Sequence, residues 1–181
     1  MTNLDELLAR QRGLLTRAQL LAAGVPASHI DGRVRARVWT PVLPRTYLVH
    51  PGLPDDELRV RAAVLWAGAD AALAGLAAAW WLGLVSTPPT QVRVVTPHRA
   101  RALRRAEVVA DVARPVWVVE VREVRVTAPL DTLVDAALEL GAAGVALLRD
   151  LRHKEVGRNS PYGARIADHR VVARSVGVRP G

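Results

Sequence analysis

Apolar positions along the first forty residues repeat at helical spacing. Leu4, Leu7 and Leu8 follow the three-and-four rhythm of one helix face, behind Asn3, a residue suited to cap it. Leu14 and Leu15 then precede Thr16-Arg17-Ala18-Gln19, a capping box in which Gln19 returns a bond to the Thr16 amide. The helix it opens (Arg17, Ala18, Leu20, Leu21) stops at Gly24, the residue expected just past a helix end. Pro26 starts a third helix with Ile30 and Val34 four residues apart on one face. Its other face carries Ser28, His29, Arg33 and Arg37, with Arg35 alongside. Two short β-prone runs, 38–40 and 46–49, flank Pro41-Val42-Leu43-Pro44-Arg45 and predict a hairpin. Helix, helix, Gly turn, basic helix and hairpin over residues 1–54 is the layout of a winged helix-turn-helix. The plainer alternative is a basic, solvated helix in a small bundle.

The pattern then changes twice. Residues 55–85 predict two strongly apolar helices, the first opened by Asp55, Asp56 and Glu57 against the helix dipole. Its apolar face is Val60, Val64 and Leu65, and the second helix, Ala71 to Trp81, is apolar almost all round and is expected to be central core. Trp80-Trp81 reads as core filling rather than a base-stacking platform, because nothing polar surrounds it. Residues 91–96, 107–112, 116–121 and 123–126 are short β-branched runs that predict a small, mostly antiparallel sheet. Pro129 starts a helix through Leu130, Leu133, Val134, Ala137 and Leu138 to Gly141, and a further helix covers Val145 to Arg152. Beyond Gly157, Asn159, Pro161 and Gly163, the stretch 164–176 is weakly amphipathic and basic. The expected fold class is α+β: a winged helix-turn-helix followed by a helical and small-sheet domain.

Composition narrows the chemistry. The chain has 181 residues, 50% of them hydrophobic and 23% charged, a globular balance. It has no Cys, which removes disulfides, thiolate metal sites and a Cys nucleophile. Lys154 is its only Lys, which argues against a P-loop, a Schiff base or a Lys general base. The longest uncharged stretch, 71–92, turns polar at Ser86 and meets Pro88 and Pro89. About fifteen apolar residues span roughly 22 Å, short of the roughly 30 Å of a bilayer core, so no membrane partner is expected. The polar, acidic start (Thr2, Asn3, Asp5, Glu6) is unlike a signal peptide, and a soluble, cytoplasmic protein is expected.

The formal charge of +8 is not evenly spread. Residues 1–54 are net +4, 55–90 net −2, 91–125 net +4, 126–148 net −3 and 149–181 net +5. Such blocks are patches that suit a polyanion, and Arg forks match phosphate geometry. The preference for Arg over Lys also follows from GC-rich coding, so the net charge weighs more than the Arg identity. Arg99, Arg101, Arg104 and Arg105 form a second basic cluster that fits a phosphate contact, an acidic-partner dock or a solvated loop.

Catalytic constellations are thin. Asp111 and Glu120-Val121-Arg122 resemble a nuclease Asp…Glu-x-Lys set, but Arg does not deprotonate as Lys would. His29, His50, His98, His153 and His169 lack ligand spacing, so no metal and no cofactor is expected. The reading is non-catalytic.

Gly24-Val25 through Trp39, with Thr46-Tyr47-Leu48-Val49, resembles the N-terminal winged helix of AbiEi-type antitoxins of type IV toxin–antitoxin pairs, common in actinobacteria. Arg61 to Leu84, Pro88-Pro89…Val92-Arg93-Val94 and Val126-Thr127-Ala128-Pro129-Leu130-Asp131-Thr132-Leu133-Val134-Asp135 are similar to the same family, the last to its V-T-x-x-x-x-T-x-x-D helix entry. The resemblance covers roughly residues 1–150. It implies a DNA-binding domain at 1–54, an antitoxin-like domain at 55–155 and a basic tail or helix at 156–181. It further implies autorepression at promoter inverted repeats in double-stranded DNA, and neutralisation of a nucleotidyltransferase-like toxin. Ser28, His29, Arg33 and Arg35 then fall on the recognition helix and Arg45 on the wing, with Arg17, Arg35 and Arg45 expected on phosphates. The family often has Gly where this chain has Arg37, and its basic wing approach reads Thr40-Pro41 here. Asn159-Ser160-Pro161-Tyr162-Gly163 is similar to the opening of the Vsr-like nuclease domain that many relatives carry, with Gly163 in place of a Glu. The alternatives are an interaction module docking an acidic partner and the truncated regulatory part of such a nuclease.

Overall fold

The computed structural model describes residues 4–97, 103–104, 107–112, 117–146 and 149. The chain is α+β and divides into two units, Met1–Ala69 and Asp70–Gly181. The division falls later than the boundary expected at residue 54. No helix among the described residues is long and apolar enough to cross a membrane.

The N-terminal unit runs α1 (Leu4–Arg10), β1 (Leu14–Thr16), α2 (Arg17–Ala22), α3 (Ala27–Arg35), β2 (Thr40–Leu43), β3 (Thr46–Leu48) and α4 (Asp56–Ala67). The capping box forms as its sequence dictates. Gln19 N donates to Thr16 Oγ1 at 3.2 Å, and Thr16 N donates to Gln19 Oε1 at 2.8 Å. The cap expected of Asn3 lies outside the described residues. The hairpin is part of a three-stranded antiparallel sheet in the order β1-β3-β2. Strand β1 gave no alternation to read, because Leu14 and Leu15 are both buried. Leu15, Leu20, Ile30 and Tyr47 form the core, with Leu4, Leu7, Leu8, Val25, Val34, Trp39 and Val49 packed around them. Helix α4 extends the unit past residue 54 by packing on β1 and β2. Asp55 caps it by accepting from Leu58 N at 2.7 Å, and Arg12 grips its first turn through Asp55 (3.6 Å) and Glu57 (3.1 Å).

The C-terminal unit runs β4 (Ala72–Leu73), α5 (Gly75–Trp81), β5 (Val92–Thr96), β6 (Leu103–Arg104), β7 (Val108–Val112), β8 (Val118–Val121), β9 (Val124–Thr127) and α6 (Pro129–Leu140). One sheet holds its strands in the order β6-β7-β5-β4-β9-β8. The helix expected over 71–81 is thus shortened to 75–81, with Ala72 and Leu73 in a strand ahead of it. Gly75 sits at φ +58, a left-handed conformation that interrupts a helix, and Ala72 and Leu73 pair instead with Val95, Val94 and Val126. Burial on both faces of a sheet gives the same unbroken apolar run as a core helix. The sheet is also mixed. β4–β5, β6–β7 and β8–β9 are antiparallel, whereas β4–β9 and the five-residue β5–β7 ladder are parallel. The chain passes beyond the position of β7 to form β6 before returning between β6 and β5.

Pro129 opens α6 at its first turn as expected. Thr132 Oγ1 donates to Thr127 O at 2.8 Å, and the two buried hydroxyls meet at 2.7 Å, so the V-T-x-x-x-x-T spacing locks β9 to α6. Helix α5 packs on α6, where Glu139 accepts from Leu76 N at 3.0 Å and from Arg93 at 2.9 Å. Residues 142–146 are helical, earlier than the expected start at 145. The remainder of that helix and the tail at 156–181 lie outside the described residues.

Candidate nucleic-acid interface

The link from α2 to α3 is closed by backbone hydrogen bonds. Val25 N donates to Leu20 O and Gly24 N to Leu21 O, both at 3.0 Å, with Gly24 at φ +86. This pair of bonds is a Schellman end, which needs a left-handed residue and finds Gly. The chain then turns through Pro26 into α3. Ile30 is fully buried and Val34 half-buried, so the helix is fixed by one face. Ser28, His29, Asp31, Arg33 and Arg35 are exposed on the rest of it.

Two of these exposed side chains are organised. Arg33 Nε donates to His29 Nε2 at 3.2 Å, and the His29 ring meets Trp39 edge-on at 6.2 Å between centroids. The α3 end repeats the Schellman pattern, with Val38 N on Arg33 O and Arg37 N on Val34 O, both at 3.0 Å. Its left-handed position is Arg37, at φ 55. That explains in physical terms why Gly is favoured there. Arg37→Gly should raise the unfolding free energy by about 1 kcal/mol, measurable as a higher urea midpoint with unchanged slope.

Arg17, expected on phosphate, has partners within the unit. Its guanidinium engages Asp31 of α3 in a two-pronged bridge, at 2.6 and 3.1 Å. Its backbone N–H donates to Arg45 O at 2.7 Å, in the β2–β3 turn. One residue therefore ties the start of α2 to both α3 and the hairpin tip, as a strut whose fork is already filled. The hydrogen bond from Arg17 holds the Asp31 carboxyl below its usual value, against desolvation and with help from the charges of Arg17 and Arg35. Because that value is lowered, the pair contributes fully above the ordinary Asp range and is lost as pH falls through the depressed value. Asp31 was the residue sequence reasoning overlooked. Its signal is that it is the only acid between Glu6 and Asp55.

Arg45 occupies the two-residue loop Pro44-Arg45 between Leu43 and Thr46, exposed and at φ 60. Pro followed by a left-handed residue is the signature of a type II turn, so the Arg45 backbone is set by the hairpin. Arg33, Arg35, Arg37 and Arg45 are thus exposed cations of one unit, while Arg17 is half-buried on Asp31. Of the second cluster, Arg104 lies on β6, and Arg99, Arg101 and Arg105 lie outside the described residues.

The nuclease-like pair is not assembled. Asp111 is on β7, 3.3 Å from Arg93, and Glu120 is on β8. The order β7-β5-β4-β9-β8 puts four strand spacings between them, about 19 Å at roughly 4.8 Å each. Among the described residues no group of three His, Asp or Glu side chains is placed to hold a metal. A scan against family models and a search of curated proteins return no match to this chain.

Proposed function

We propose that the N-terminal unit is a winged helix-turn-helix that binds double-stranded DNA, with α3 as recognition helix and the β2–β3 hairpin as wing. The observation that carries this reading is the division of labour on α3. Ile30 anchors one face, and Ser28, His29, Arg33 and Arg35 stand outward from a turn closed by hydrogen bonds. Such a helix is rigid, basic and presentable to a major groove. Ser28, His29 and Arg33 read base edges in this assignment, while Arg35 and Arg45 contact phosphates. Arg17 holds the parts in register. The protein then acts without catalysis, as a repressor of its own promoter. The resemblance to AbiEi-type antitoxins extends the proposal to a partner, a nucleotidyltransferase-like toxin neutralised by the C-terminal unit.

A mobility-shift titration on the gene's own upstream DNA tests this. Arg33→Ala should weaken specific binding by about 1–3 kcal/mol and leave binding to unrelated DNA nearly unchanged. Arg35→Ala should weaken both alike and reduce the salt slope by about one. Equal losses on both DNAs from Arg33→Ala would remove it from base readout.

A further inference from the structure

His29 and Arg33 lie one turn apart on the exposed side of α3, and their contact has a direction. Arg33 Nε–H donates to His29 Nε2 at 3.2 Å. An imidazole nitrogen accepts only when it carries no proton, so the pair requires a neutral ring with its hydrogen on Nδ1. The same ring meets Trp39 edge-on, at 6.2 Å and 72°, and Trp39 packs on the core of the unit. Trp39 thus steadies the ring, and the ring holds the guanidinium. With Nε engaged, the two terminal nitrogens of Arg33 stand side by side, and among the described residues neither has a partner. That fork matches the O6 and N7 acceptors of guanine in a major groove. A side chain held in advance also loses less rotamer freedom on binding.

The other charged groups around α3 have their own places. Asp31 of α3 and Arg17 of α2 are bridged to each other at 2.6 Å. Arg35 ends the helix, Arg37 lies in the link to Trp39, and Tyr47 of β3 is buried in the core. Arg33 is the charge in hydrogen-bond contact with the ring. Proton uptake at Nε2 removes the acceptor and sets an imidazolium against the guanidinium. Arg33 is then released, while the added positive charge strengthens attraction to any DNA phosphate. Base-specific and unspecific binding therefore respond to pH in opposite directions.

We propose that His29 is the positioning residue that holds Arg33 for guanine, and that protonation of His29 releases this base-specific contact. The proposal rests on the DNA-binding reading above. Its test is the ratio of affinities for the gene's own upstream DNA and for unrelated DNA. Mobility shifts measure it in the full-length protein from about pH 8 to about pH 5.5, where an imidazole ordinarily takes up a proton. The parent ratio should fall about tenfold across that interval, the worth of one bidentate base contact. Both control variants change an exposed position. His29→Gln keeps an acceptor that does not titrate and should hold the high ratio throughout. His29→Phe keeps a ring against Trp39 without the acceptor and should give the low ratio at every pH. A parent ratio independent of pH, or a His29→Phe ratio equal to the parent's at about pH 8, would overturn the proposal alone. No retarded complex from the parent at any pH would overturn the DNA-binding reading, and this proposal with it. Nitrogen NMR of the free protein reads the pairing without DNA. At about pH 8 the His29 Nε2 should be unprotonated, and the opposite tautomer would overturn the proposal whatever the DNA result.

Discussion

Ile30→Ala is expected to lower the unfolding free energy of the N-terminal unit by about 2–5 kcal/mol, the range for truncating a buried Ile. Ile30 is fully buried among Leu15, Leu20 and Tyr47, so one substitution opens a cavity against α2, β1 and β3 together. The Arg17–Asp31 bridge also ties α2 to α3 across the exposed side of the unit. Trp39 packs against the same cluster and reports the loss through its fluorescence. A urea midpoint within error of the parent protein would contradict the packing described for α3. The functional consequence is a second readout. Ile30 is fully buried in the core of the unit and fixes the helix proposed to read DNA, so DNA affinity should fall with stability.

Trp81→Ala should be at least as costly in the C-terminal unit, at about 3–5 kcal/mol. The indole is buried, and its Nε1–H donates to Val121 O at 2.9 Å. Arg122 lies 3.9 Å over its ring and donates to Trp81 O at 2.7 Å. These contacts secure a strained turn. Arg122 and Glu123 join β8 to β9 as a two-residue loop with φ 49 and 61. Two left-handed residues in succession define a type I′ turn, which usually requires Asn or Gly. Trp81→Ala removes the surface on which Arg122 rests, so the hairpin loses its lock and α5 its anchor to it. Trp81→Phe keeps most of the volume and removes the indole's hydrogen bond to Val121 O, for a smaller loss of about 1 kcal/mol. Thermal unfolding of both variants separates the packing contribution from the hydrogen bond. Identical losses from both would show that the hydrogen bond alone matters.

What the sequence made legible divides along a physical line. Local chemistry was readable: the Thr16–Gln19 box, Gly24 past the end of α2 and Pro129 at the start of α6 all occur as expected. Each depends on neighbours within about five residues. The inward Ile30–Val34 face of α3 followed from helical period alone. Non-local pairing was not readable. Ala72 and Leu73 became strand because Val94, Val95 and Val126 flank them, none of which is near in sequence. The order of β5, β6 and β7 was equally hidden, since alternation assigns faces but not neighbours.

The candidate site followed the same rule. The residues of α3 were identifiable as an outward, basic set, but their internal pairings were not. Arg17 was expected on phosphate because Arg in a basic block invites it; its bond to Asp31 spans fourteen residues and two helices. The Thr127–Thr132 bond gives the V-T-x-x-x-x-T spacing a structural reason of its own. That motif therefore contributes to the fold of the C-terminal unit whatever its partner, and the DNA-binding proposal rests on α3 alone.

The most direct measurement is the affinity of the full-length protein for its own upstream DNA across a salt series, beside the double variant Arg33→Ala/Arg35→Ala. The parent protein should form a retarded complex whose log affinity falls linearly with log salt. The double variant should lose that complex while keeping the parent's urea midpoint, because both side chains are exposed. Unchanged affinity and salt slope in the double variant would contradict the assignment of α3 as the DNA-reading helix.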